Sequence, residues 1–311
     1  MADIVISEFI DERALEVLRR SFEVEIDPEL WSRPADLGHR IAGARALIVR
    51  NRTKVDAALI DQGTRIVVIG RLGVGLDNID VKHARAKGVE VAAAIGSNAV
   101  SVAEYVIAMS LVLLRGIAYR SSGEVAAGRW PREQAGRGLE IAGKQLGIVG
   151  LGSIGQIVAG RAKAMGMTVV AFDDFVPAGS TAWAGVERLP LAALLATSDV
   201  VSLHCPLNDE TRGLIGRDAL QRMKRGAIVI NSARGGIVDE VALADALRAG
   251  HLGGAALDAF EPEPIAPELA GRLAGIPNLI LTPHIAGVTA EANARASMMT
   301  AENVMRALGK A

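Results

Sequence analysis

The chain has 311 residues, enough for two domains of ordinary size; half are hydrophobic and only 3% aromatic. A formal net charge of −1, with acids and bases intermixed, excludes the basic stripe of a nucleic-acid-binding surface. Cys205 is the single cysteine, which excludes a disulfide framework and a cysteine-based zinc site, and no metal is expected.

The opening Met-Ala-Asp lacks the charged and apolar regions of a signal peptide. The longest apolar stretch, Tyr105 to Leu114, is too short to span a bilayer, so a soluble, cytoplasmic protein is expected. The first hundred residues alternate short apolar runs with helical or turn segments. Ile4 to Ile6, Phe22 to Ile26, Ala46 to Val49, Ile66 to Ile69 and Val89 to Val91 read as strands, and Asp11 to Arg20 as a helix. Such alternation predicts a parallel sheet with crossover helices.

Two loops of this region follow strands directly. One is Val49 to Val55, carrying Arg50 and Arg52; the other is Gly70 to Asp80, carrying Arg71 and several glycines. Ligands of open α/β sheets sit outside the carboxyl ends of strands. Arg50, Arg52 and Arg71 are therefore candidate anion clamps, with backbone amides offered by Val74 and Gly75.

A long helix begins near Asn98, with Ser101 and Glu104 spaced as a capping box. Its run from Tyr105 to Leu114 is apolar on nearly every face, which predicts burial all round, between domains or against a second subunit. A homodimer is the expected consequence, and dimers could pair into tetramers. Gly116 to Gly143 is polar and glycine-rich, with Trp130 as an anchor for a partner.

Residues 144–174 form the organising unit. Gln145 to Val149 is a strand, Gly150, Gly152 and Gly155 follow in the spacing G-x-G-x-x-G, and Ile157 to Met165 has helical composition. Thr168 to Phe172 is a second strand that ends at Asp173, 18 residues beyond Gly155. The glycines allow a tight turn, close approach of a pyrophosphate, and packing of helix on strand. The helix N-terminus offers unpaired N–H groups to phosphate. Asp173 is placed to accept hydrogen bonds from ribose hydroxyls. Asp174 stands beside it with no arginine nearby in the chain, so a 2′-phosphate is disfavoured and the expected cofactor is NAD.

Four further strands each end at a polar cluster. Asp199 to His204 leads into Cys205 and Pro206, Ala227 to Asn231 into Ser232-Ala233-Arg234, Gly253 to Leu257 into Asp258 and Glu263, and Leu279 to Thr282 into Pro283-His284. Thr289 to Leu308 closes the chain as an amphipathic helix, leaving no room for an appended regulatory domain.

Arg234, Glu263 and His284 match the needs of hydride transfer between a 2-hydroxy acid and NAD. An arginine grips a carboxylate with a planar fork. A histidine, with an unperturbed pKa of about 6.5, exchanges the hydroxyl proton. A carboxylate beside the histidine favours the imidazolium and fixes its tautomer. Taken singly, each residue also has a plain structural reading; Cys205 reads as a packed strand-end residue.

The set GLGSIG, HCPLNDETRGLI, NSARGGIVDE, DAFEPEP and TPHIAG resembles the D-isomer-specific 2-hydroxyacid dehydrogenase family, especially its phosphoglycerate dehydrogenase branch, over essentially the whole chain. The resemblance implies an α/β fold of two Rossmann-like domains with parallel sheets. A discontinuous, flavodoxin-like substrate domain (1–98 plus 288–311) would flank an inserted NAD-binding domain (99–287), with the active site in the cleft and subunits pairing through the NAD domains. It implies catalytic roles for Arg234 and for Glu263 paired with the acid–base His284. Asp258 would lie near the nicotinamide carboxamide and Ala233 near the ring, with His204, Cys205 and Pro206 along the adenosine side. Ser153, Ile154, Thr211 and Gly287 complete the implied cofactor contacts. Arg50 and Arg71 match positions that hold an anionic substrate tail, and Arg132 matches one that supplies a cation across the dimer.

Some features depart from that branch. The regulatory domain of its long members is missing, so serine feedback through it is not expected. HIAGVT replaces HIGGST, and Arg52 adds charge beside Arg50. RNRT with HIAGVT looks like the sulfolactate dehydrogenase members. The expected reaction is NAD-dependent oxidation of a D-type 2-hydroxy acid with an anionic tail, 3-phosphoglycerate or 3-sulfolactate. Rival readings are a glyoxylate or hydroxypyruvate reductase and, in another class, an NAD-sensing corepressor that binds protein partners.

Overall fold

The computed structural model describes residues 2–116 and 121–309, so positions 117–120 of the glycine-rich stretch, Met1 and the last two residues lie outside it. The chain divides into two compact units, Met1–Asn98 with Val288–Ala311, and Ala99–Gly287.

The first unit runs β1 (Ile4–Ile6), α1 (Glu12–Arg19), β2 (Val24–Ile26), α2 (Pro34–Ile41), β3 (Ala46–Val49), α3 (Ala57–Gln62), β4 (Val68–Arg71), α4 (Val81–Ala86) and β5 (Glu90–Ala93). Its strands pair in parallel in the order β2-β1-β3-β4-β5. The central strand β3 is buried at all four positions, as a strand covered on both faces must be, which is why it reads as an unbroken apolar run. Asp11, Asp56 and Asp80 cap α1, α3 and α4 by accepting from first-turn amides.

The last helix of the chain, α13 (Ala290–Ala307), belongs to this unit. Thr289 caps it through the Ala292 amide. Its buried Ala301 and Val304 join Ile4, Ile6 and Leu18 in one core. Each fully buried side chain of this size contributes roughly 1.5–3 kcal/mol relative to exposure. That burial draws a helix from the far end of the sequence back onto the first sheet.

The second unit opens with α5 (Ala99–Arg115), α6 (Ser121–Ala126) and α7 (Arg132–Ala135). It continues through β6 (Gln145–Val149), α8 (Ser153–Ala164), β7 (Thr168–Phe172), β8 (Glu187–Arg188), α9 (Leu191–Thr197) and β9 (Val200–Leu203). It ends with α10 (Arg217–Arg222), β10 (Ile228–Asn231), α11 (Glu240–Arg248), β11 (Gly254–Leu257), α12 (Pro267–Leu273) and β12 (Leu279–Leu281). All seven strands are parallel, in the order β12-β11-β10-β9-β6-β7-β8. The order reverses between β6 and β9, and this is the switch point at which a dinucleotide crevice forms.

One expectation for α5 is corrected. Ser101 and Glu104 lie inside the helix rather than at its cap, and Glu104 pairs with Arg161 at 3.1 Å. Val100, Glu104, Ala108 and Leu111 of this helix are exposed in the single chain. Among the described residues, no helix is long and apolar enough to cross a membrane.

Candidate active site

The turn after β6 meets the loop after β9 at the switch point. Gly150 has φ of +96°, and a Cβ there would lie 2.8 Å from the His204 carbonyl carbon. A Cβ on Gly155 would lie 2.3 Å from the Gly150 carbonyl oxygen, so helix and turn touch through backbone. Gly152 differs: a Cβ there would meet nothing within 4 Å. As the N-cap of α8 it brings no side chain to the first-turn N–H groups, where Ser153 and Ile154 stand. Open space over uncapped amides at a helix N-terminus fits a pyrophosphate.

Asp173 follows β7 and is already engaged. One carboxylate oxygen accepts from the Leu151 amide at 2.7 Å; the other accepts from the Phe175 and Val176 amides at 2.8 and 2.9 Å. It ties the glycine turn to the β7 loop, leaving limited acceptor capacity for a ribose. The expectation that no arginine stands close is corrected. Arg188, on β8, donates to the Asp173 carbonyl at 3.2 Å, lies 3.8 Å from Asp174 and stacks over Trp183. Two carboxylates still outnumber that one cation.

The His204 ring is bonded to Ser202 at 2.9 Å, and burial pushes its pKa down to about 4, so it is neutral at pH 7. Burial pushes the Cys205 thiol up to about 11, in keeping with a packed, unreactive side chain. Thr211 donates to the Pro206 carbonyl at 2.6 Å and accepts from the Asn208 amide, closing the loop after β9 on itself.

The remaining three loops hold the candidate catalytic groups. Asn231, fully buried at the end of β10, donates to the Arg234 carbonyl at 2.8 Å and accepts from the Ala233 amide at 3.1 Å. Arg234 in turn donates from Nη1 to the Ala233 carbonyl at 2.7 Å. His284 Nδ1 lies 2.8 and 3.0 Å from the two carboxylate oxygens of Glu263, which also accepts from the Phe260 amide. Because a carboxylate oxygen accepts, Nδ1 carries the proton of this contact. Arg212 grips Glu261 with both guanidinium nitrogens and steadies the same loop.

Asp258 is wholly buried, and its oxygens accept from Thr282 Oγ1 (2.6 Å) and from the amides of Ile285 and Ala286 (both 2.8 Å). The carboxylate thereby holds the loop that follows His284. Tyr105 donates to Thr282 at 2.8 Å, and burial pushes its hydroxyl up to about 12. Asn231, Thr282 and Tyr105 were not singled out from sequence. Asn231 and Thr282 each had a signal, as polar residues ending apolar strands.

In the first unit, Arg50 Nη2 donates to Asn293 at 2.7 Å, and Arg52 lies over the Trp31 ring, 4.9 Å from its centroid. Arg71 Nη1 donates to the Leu72 carbonyl at 2.8 Å, its guanidinium filling the space beside Gly73. Among the described residues, the amides of Val74 and Gly75 make no hydrogen bond, which leaves them available to an anion. Arg132 is exposed at the start of α7, two residues after Trp130, itself 76% exposed. No cluster among the described residues could hold a metal ion.

The contrast between two glycines can be measured. Gly152→Ala is expected to melt within about 2 °C of the parent, because the methyl enters open space, yet to weaken NADH binding at least tenfold. Gly155→Ala forces backbone apart and should cost about 1–3 kcal/mol of stability. Thermal unfolding and NADH fluorescence titration read both; unchanged NADH affinity in Gly152→Ala would remove this turn from the cofactor site.

Residues 107–286 match the family described as D-isomer specific 2-hydroxyacid dehydrogenase, NAD binding domain. The chain is 53% identical to (S)-sulfolactate dehydrogenase of Chromohalobacter salexigens over 310 residues, 99% of each chain. It is 40% identical to D-3-phosphoglycerate dehydrogenase of Archaeoglobus fulgidus, covering 97% of this chain but 56% of that longer one. The crystal structure of the TT0316 protein from Thermus thermophilus superposes with a TM-score of 0.88 at 37% identity, covering 99% of this chain and 97% of that one. The chain therefore belongs to the D-isomer specific 2-hydroxyacid dehydrogenase family and is an NAD-dependent 2-hydroxyacid oxidoreductase.

Proposed function

We propose that the chain oxidises (S)-3-sulfolactate to sulfopyruvate, with His284 as the acid–base residue. The paired contact of Glu263 with His284 Nδ1 carries the mechanistic part. Bound NAD supplies the hydride acceptor. His284 Nε2 takes the C2 hydroxyl proton as the C2 hydride departs, and Glu263 stabilises the resulting imidazolium. Arg234 grips the substrate carboxylate and polarises the developing carbonyl. In the reverse direction the imidazolium returns its proton to the carbonyl oxygen.

Substrate choice rests on the identity to the Chromohalobacter relative together with the cations of the first unit. Arg50, Arg52 and Arg71, with the amides of Val74 and Gly75, bind the tail anion under this reading. The cofactor contacts are the Gly150–Gly155 turn, Asp173, the His204–Pro206 segment with Thr211, Ala233 and Gly287. The subunit is proposed to work as a homodimer, with Arg132 reaching the partner's site; exposed Leu111, Val125, Trp130 and Leu139 supply an apolar surface for that contact. Sedimentation velocity at micromolar concentration should give twice the chain mass, and a monomer would remove Arg132 from the site.

Two kinetic outcomes are expected. NADH oxidation across sulfopyruvate, 3-phosphohydroxypyruvate, hydroxypyruvate, glyoxylate and phenylpyruvate should favour sulfopyruvate in kcat/KM by roughly a hundredfold, about 2.7 kcal/mol. Arg71→Ala should raise KM steeply only for substrates with a charged tail. Equal rates on hydroxypyruvate and glyoxylate would make the protein a general 2-oxo acid reductase. His284→Ala should lower kcat by about 10²–10⁴-fold. Glu263→Gln should lower kcat with KM little changed, since the ring loses the anionic acceptor that fixes its tautomer. An unchanged kcat would count against the pairing.

A further inference from the structure

The first sheet has its own switch point, between β1 and β3, where the strand order reverses. The segment Arg50 to Thr53 follows β3 there, and Glu8 follows β1. Glu8 is 4% exposed, yet its carboxylate is fully engaged. One oxygen accepts from the Arg50 amide (2.8 Å), the Thr53 amide (3.0 Å) and the Thr53 hydroxyl (2.8 Å). The other accepts from the amides of Asn51 and Arg52 at 3.3 and 3.0 Å. Four successive amides therefore close around one internal anion. Asn78 braces the same segment through the carbonyls of Arg50 and Thr53.

The loop cannot rearrange without uncovering a buried charge, which is costly. Its amides are also already taken, so an external anion at this loop meets its guanidinium groups and not its backbone. The nearby arginines differ in how they are compensated. Arg33 pairs with Asp27, and Arg40 with Glu25 and Asp36. Arg52 has no carboxylate partner among the described residues and instead rests on the face of Trp31. Trp31 follows Leu30, which is wholly buried, and the Asp27–Arg33 pair brackets the same turn. The indole Nε1 is buried without a hydrogen-bond partner among the described residues. A ring chosen only to fill space would not bury an unsatisfied donor, whereas an indole face is the best partner for a guanidinium.

We propose that Trp31 is a positioning residue for substrate selectivity: it holds Arg52, on a loop locked by Glu8, as a pre-formed arm for the substrate's tail anion. The proposal rests on the reading of Arg52 as a tail-binding group. An arm that is already ordered loses less freedom when the anion arrives, so its positive charge is more effective.

The test is a double-mutant cycle of Trp31→Met and Arg52→Ala, with Trp31→Phe as the conservative variant and with folding checked by thermal unfolding. KM and kcat are measured for sulfopyruvate and for hydroxypyruvate, which lacks the tail charge. Trp31→Met is expected to raise KM for sulfopyruvate about tenfold with kcat and the hydroxypyruvate KM unchanged, Trp31→Phe to restore most of the loss, and Trp31→Met to add nothing once Arg52 is alanine. Equal effects on both substrates, or additive effects of the two substitutions, would overturn the positioning role. If Arg52→Ala raises KM for sulfopyruvate and neither Trp31 variant does, tail binding by Arg52 stands and the proposal falls. If Arg52→Ala leaves that KM unchanged, the tail reading of Arg52 falls and the proposal with it. Should Trp31→Met not fold, Trp31→Phe with and without Arg52→Ala gives the same comparison, with a smaller rise in KM expected and additive effects again overturning it.

Discussion

The buried carboxylate of Asp258 is the interaction on which the catalytic loop depends. His284 has a backbone φ of +56°, a left-handed conformation that a non-glycine residue adopts at a cost of about 1–3 kcal/mol. Three donors from Thr282, Ile285 and Ala286 converge on Asp258 and hold the chain on either side of that residue. Since the ring direction follows from the backbone, these bonds aim Nδ1 at Glu263. Tyr105 extends the support to α5 through Thr282. A carboxylate with no exposed surface thus fixes the loop that carries His284.

Both sheets repeat one architectural rule. In the second unit the reversal between β6 and β9 brings Gly150 against His204 and Cys205, and every strand-end loop with a candidate role leaves the same edge. In the first unit the reversal between β1 and β3 sets Glu8 against Arg50–Thr53. Parallel strands deliver their carboxyl ends to one side, so polar residues that end apolar runs gather there without any further instruction in the sequence. Side chains then divide into two kinds. Asp258, Asn231 and Glu8 satisfy backbone groups of the strand-end loops, and under the proposed reading His284 and Arg52 serve external partners.

How much of this was legible in the sequence follows from the same physics. Strands buried on both faces must be apolar throughout, so Ala46–Val49 and Ile228–Asn231 stood out within a residue of their observed limits. The glycine spacing, with strand before and helix after, named the cofactor turn. The exposed two-residue strand β8 carries no apolar signal, and it is the element that brings Arg188 to Asp174. The capping spacing of Ser101 and Glu104 misled because Glu104 found Arg161 instead. The bonds joining residues 105, 258 and 282 span too much chain for any local pattern to reveal them. The pairing of Glu263 with His284 came from family resemblance, since no spacing rule links positions 21 residues apart in separate loops.

Substrate identity was the least legible feature because it turns on how cations are held, not on how many there are. The segment from 27 to 52 holds Arg33, Arg40, Arg45, Arg50 and Arg52, and in sequence they look alike. Acidic partners neutralise Arg33 and Arg40, which stabilises the turn and removes their attraction for a ligand. Arg50 is steadied by a neutral amide and Arg52 by an aromatic face, and neither partner cancels charge. Under the proposed reading these two guanidinium groups keep their charge for a substrate. Glu8 absorbs the loop amides that would otherwise bind anions without regard to shape, whereas the amides of Val74 and Gly75 stay open. Selectivity for a tail anion then arises from a few fixed donors whose supports are chosen so as not to compete with the ligand.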